Sequence, residues 1–126
     1  MMMAAISLIA VVHTMLLGIV LIHLGEQNTA FDWAISLAFL LWNSSPIIIS
    51  YIIARAKAHF EFRWAMLAFQ IGISIFYTVE IYGAFYVHPD AQAGLIFLFL
   101  PVMGLGALVP ISLICAFIIR TRASVQ

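Results

Sequence analysis

The sequence predicts an all-α integral membrane protein: a four-helix bundle of four transmembrane helices with both termini on the cytoplasmic side. Three observations carry this expectation. Four apolar runs each reach about twenty residues, the length that crosses a hydrocarbon core. Charge is nearly absent from them, and every Lys and Arg falls in one of two short stretches, with Arg55, Lys57 and Arg63 in the first and Arg120 and Arg122 in the second. Basic residues in short loops mark the cytoplasmic side, so the second connection and the C-terminal tail are expected inside. Of 126 residues, 66% are hydrophobic and 8% charged, with a mean hydropathy of +1.18. A soluble domain carries roughly a quarter charged residues, so this chain requires lipid as its solvent.

The spans are expected at about residues 3–24, 33–54, 64–86 and 95–119, within one domain covering 1–126. No basic segment opens the first run and no convincing small-residue cleavage site follows it, so it is read as a helix and not as a removed signal. The connections 25–32, 55–63 and 87–94 are too short for a soluble domain. The outer two carry Glu26, Asp32, His88 and Asp90. Aromatic placement agrees with these limits: Trp33 and the group Tyr82, Phe85 and Tyr86 fall at the outer interface, and Trp64 at the inner one. Trp42 lies mid-span, where packing against a neighbour or a ligand is expected in place of headgroup anchoring.

Polar residues inside the spans need partners, because hydrocarbon supplies none. In the second helix Ser36, Asn43 and Ser50 recur every seven residues and share one face, which is expected to point inward. In the third, Gln70, Ser74 and Tyr77 form one stripe. Ala65, Ala68, Gly72 and Gly83 form another on roughly the opposite side, so this helix is expected to be contacted on two faces. At 1.5 Å per residue, His13, Asn43 and Ser74 lie at about 15–17 Å from the inner boundary, near the midplane. A shared polar layer there reads in two ways. It is a site for a proton, an ion or a polar headgroup, or a set of interhelical hydrogen bonds worth about 0.6 kcal/mol each. The second is preferred, since a neutral histidine is far less costly to bury than a charge.

Glu80 is the only acid or base well inside a predicted helix, about 9 Å below the outer end at Tyr86. The candidate intramembrane polar site is therefore His13, Asn43, Ser74, Tyr77 and Glu80. Asn43, Ser44, Ser45 and Pro46 are expected to interrupt the second helix near its middle, while Pro101, Gly104, Gly106 and Pro110 punctuate the fourth.

Several functions are expected to be absent. No basic patch outside the two flanking clusters is available to neutralise phosphates, so nucleic acid is not an expected partner. His23, Glu26, Asp32, His88 and Asp90 include metal-ligand types but no pair one turn apart, and no metal or other cofactor is expected. Bis-histidine haem ligation needs two histidines facing one another from different helices at one depth, and His13 has no intramembrane histidine partner, so such a haem would need another subunit. Cys115 reads as a small reduced thiol. No nucleophile with its base and no phosphate loop marks an enzyme.

The expected function is that of a noncatalytic interaction, accessory or immunity-type subunit in a bacterial cytoplasmic membrane, with the lipid bilayer, other membrane subunits or copies of itself as partners. The alternative is an oligomeric proton-linked transporter or channel using Glu80 and the His13/Asn43 layer. Five bases on one side disfavour insertion in both orientations, so a homo-oligomer is expected to be parallel.

Overall fold

The computed structural model describes residues 1–25, 28–57, 59–87 and 93–123. Every regular element among them is helical: α1 (Met2–Leu24), α2 (Ala30–Ala56), α3 (Phe60–Tyr82) with a π-helical turn at Gly83–Val87, a short 3₁₀ turn at Ala93–Leu95, and α4 (Ile96–Ala123). All four helices are long and apolar enough to cross a membrane, α3 together with its π-helical turn. Glu26, His88 and Asp90 lie outside the described residues.

Two helix starts differ from the expected limits, for local reasons. α2 begins at Ala30, ahead of Trp33, because Thr29 and Asp32 form a capping box: the Thr29 hydroxyl accepts from the Asp32 amide at 3.2 Å, and the Asp32 carboxylate accepts from the Thr29 amide at 2.8 Å. The Thr-x-x-Asp spacing is a variant of the usual Ser/Thr-x-x-Glu signal. α3 begins at Phe60 and takes in Glu61 and Arg63. This places Glu61 where Arg122 near the end of α4 donates to it at 3.2 Å.

The expected interruption of α2 does not occur; α2 runs unbroken through Pro46. Proline has no N–H for the carbonyl four residues earlier, which here is Trp42. The Ser45 hydroxyl donates to that carbonyl at 2.7 Å, so the sequence neighbour of the proline makes good the lost bond.

α2 and α3 form the centre. α1 packs on both from one side and α4 on both from the other. Burial follows this order: 33% of the spanning windows of α2 and of α3 is buried, against 17% for α1 and 11% for α4. The outer helices therefore present most of their apolar surface, including Leu16, Ile19, Val109 and Phe117, to the surroundings. Ile6, Leu17, Ile47, Met66, Tyr77 and Leu100 fill the core between the helices.

α4 is displaced along the bundle. An added Cβ at Gly104 would meet Pro46 Cγ at 2.9 Å, so these two residues mark one level. Pro46 lies sixteen residues into α2 and Gly104 eight into α4, an offset of about 12 Å at the helical rise. The start of α4 therefore sits low against α2, and its Arg120 and Arg122 end extends beyond it.

Candidate functional site

Asn43 and His13 occupy the middles of α2 and α1, and each is fully or almost fully buried. They serve different seams. The carboxamide nitrogen of Asn43 donates to Phe39 O at 2.9 Å, within its own helix, and to Phe97 O of α4 at 3.0 Å. Phe97 stands four residues before Pro101, so its carbonyl has no intrahelical donor. Asn43 thus binds α2 to α4 at the one carbonyl that Pro101 releases. Trp42 adds a weaker bond beside it, from its indole N–H to Leu98 O at 3.3 Å, which gives this mid-span tryptophan a neighbour on α4.

A second clamp joins α2 to α3. Gln70 donates to the Ser50 hydroxyl at 3.0 Å, and that hydroxyl donates to Ile47 O at 2.8 Å. Gln70 and Ser74 therefore share a stripe but not a neighbour, since Gln70 faces α2 and Ser74 reaches α1.

His13 forms the third junction. Its Nδ1 lies 2.9 Å from Ser74 Oγ, and its ring meets that of Tyr77 with centroids 5.2 Å apart at 56°. Which of the two partners donates depends on the imidazole tautomer. His13 Nε2 and Tyr77 OH are buried and have no hydrogen-bond partner among the described residues. His13, Ser74 and Tyr77 are lined up along a cleft of about 490 Å³ between α1 and α3, walled by Leu8, Val12, Leu16 and Ile81 and bounded toward the far end by Tyr82 and Tyr86. Those two tyrosines stack at 5.5 Å and 21°.

The five residues picked out from the sequence are thus brought together only in part. His13, Ser74 and Tyr77 form one cluster, and Asn43 is committed to α4. Glu80 is partly buried and forms no ion pair among the described residues; it does not line the cleft. Among the described residues no group of three or more His, Cys, Asp or Glu side chains could hold a metal ion.

On the other side of α3 lies an open groove of about 600 Å³ toward α4, where Ala65, Ala68, Gly72 and Ala107 stand beside Phe69, Ile73, Phe76, Met103 and Ile111. A Cβ added at Gly72 would meet nothing within 4 Å. Ala65, Ala68 and Gly72 of the small-residue stripe therefore face an unfilled groove, Gly83 lies outside it in the π-helical turn, and the close helix approach in the bundle falls at Gly104.

No protein-family model, curated protein or solved structure matches this chain. Its chemistry rests on the geometry above. The carboxamides of Asn43 and Gln70 hold helices together, His13, Ser74 and Tyr77 border the α1–α3 cleft, and the groove beside Ala65, Ala68 and Gly72 is open to a neighbour.

Proposed function

We propose that the chain is a noncatalytic accessory subunit of a bacterial cytoplasmic membrane, with its termini inside, that receives one transmembrane helix of a partner subunit in the α3–α4 groove. The single observation behind this is the open line of Ala65, Ala68, Gly72 and Ala107. In lipid there is no hydrophobic force between helices, and association relies on close packing where small residues let backbones approach. Within the bundle that role belongs to Gly104 against Pro46, which leaves the second small-residue surface for another chain. The clamps at Asn43 and Gln70 make the bundle a self-supporting unit to which such a helix adds.

The test is proximity in native membranes. With Cys115 replaced by Ala and Gly72→Cys introduced, a short thiol-reactive cross-linker is expected to give one discrete adduct heavier than the chain. Mass spectrometry then identifies its second component as a different membrane protein. Gly72→Leu is expected to abolish co-purification of that component in mild detergent while the isolated chain unfolds at an unchanged midpoint. An adduct of twice the chain's mass replaces the foreign partner with a parallel copy of the chain, and persistence of the monomer alone overturns the proposal.

A further inference from the structure

The α1–α3 cleft carries an assignment independent of the groove, from which it is separated by α3. His13 is 6% and Tyr77 2% exposed, yet His13 Nε2 and Tyr77 OH have no partner among the described residues. Buried polar atoms are nearly always satisfied, so two orphans on neighbouring rings at one cleft call for an explanation. Asn43 Oδ1 and Gln70 Oε1 also lack partners among the described residues, but their amide nitrogens tie helices together and neither side chain lines the cleft. The His13 and Tyr77 rings line it and touch without a hydrogen bond.

We propose that this cleft binds a neutral, flat, carbonyl-bearing lipophile of the quinone type, with its carbonyl oxygen accepting from Tyr77 OH and its ring lying among the His13, Tyr77, Tyr82 and Tyr86 side chains. Four properties of the site select this chemistry. The volume of about 490 Å³ falls in the range of small-molecule sites. The walls are aliphatic, and His13 is central in α1, so a charged headgroup would lose its hydration there without a counter-charge. Four of the lining side chains are flat rings, which favour offset or tilted contacts with another ring. Leu8, Val12 and Leu16 are exposed at the rim, so an apolar tail leaves sideways into lipid.

Ser74 holds the imidazole through Nδ1, and Nε2 is left without a partner among the described residues, a donor or an acceptor according to the tautomer. Neither orphan atom is itself exposed at the cleft surface, so binding turns one of the two rings toward the ligand. An ester carbonyl of a diacyl lipid offers the same acceptor without the flat ring.

The probe is a short-tailed benzoquinone bearing a diazirine, photolysed with the full chain in phosphatidylcholine nanodiscs and mapped by peptide mass spectrometry. Labelling is expected to concentrate on residues 8–20 and 74–86, and to fall with excess unlabelled short-tailed quinone but not with added diacylglycerol. Tyr77→Phe is expected to weaken the apparent affinity about tenfold, the equivalent of one lost hydrogen bond of ordinary strength. Leu16→Trp, at an exposed rim position, is expected to block labelling by filling the cleft while leaving the unfolding midpoint unchanged. Even labelling of all four helices, or labelling insensitive to both variants, overturns the assignment. Competition by diacylglycerol and not by quinone also overturns it, in favour of the lipid ester.

Discussion

The α2–α4 seam and the α1–α3 seam each place a polar side chain at the middle of a helix, and they resolve it in opposite ways. At α2–α4, Asn43 meets a backbone carbonyl that Pro101 has left without a donor, so its carboxamide nitrogen repairs the backbone while its Oδ1 has no partner among the described residues. At α1–α3, His13 and Ser74 satisfy each other through one pair of atoms, and the remaining polar atoms of His13 and Tyr77 stay unmatched. The lesson is that a buried polar residue in a membrane helix is structural when it repairs a defect of the backbone. When its remaining atoms border a cleft, it becomes a candidate for binding.

The largest expected effect breaks the first seam. Asn43→Leu removes both donors and leaves Phe97 O bare in an apolar setting, with an expected loss of about 2 kcal/mol, measured by equilibrium unfolding in mixed detergent–lipid micelles. Pro101→Ala restores an N–H at the position that serves Phe97 O. The loss caused by Asn43→Leu in that background is therefore expected to shrink by about half, a coupling that only shared dependence on one carbonyl produces. Equal losses in both backgrounds would show that Asn43 acts elsewhere.

A smaller effect separates the two glycines that look alike in the sequence. Gly104→Ala drives a Cβ to 2.9 Å from the rigid Pro46 ring and is expected to lower stability by about 1–2 kcal/mol, with part recovered when Pro46→Ala is added. Gly72→Ala meets open space and is expected to be neutral, or stabilising by up to about 1 kcal/mol through its helix propensity. Reversal of that order in the same unfolding measurement would place the close contact on the other side of α3.

The smallest effect sharpens the second seam. Ser74→Ala is expected to cost about 0.6 kcal/mol, the average of an interhelical hydrogen bond in a membrane, whereas Tyr77→Phe is expected to cost nothing, because its hydroxyl has no partner to lose. A loss of about 1 kcal/mol or more on removing that hydroxyl would reveal a bond within the protein and remove the reason for a ligand.

Much of the fold is legible in the sequence because it depends on sums over local stretches. The four apolar runs and the basic clusters are properties of short windows, and the structure has four helices at those places. Even the early start of α2 is written locally, in Thr29 and Asp32. Less of the candidate site is legible. Seven-residue spacing correctly puts Asn43 and Ser50 on a buried face, but it does not name the helix opposite, and Gln70 and Ser74 diverge from one stripe to two neighbours. The one available clue to the Asn43 bond was Pro101, whose spacing from Phe97 identifies an orphaned carbonyl before any partner is known.

The sequence by itself determined four helices with membrane-crossing length, the short connections between them, and the polar positions inside them, since hydrophobicity and helical periodicity act along the chain. Only the tertiary structure decided the slide of α4 by about 12 Å at the helical rise, the choice of Gly104 over Gly72 for close approach, and the division of His13 and Asn43 between separate seams. Those outcomes depend on the rotation and axial register of each helix, which many weak contacts across several neighbours settle together.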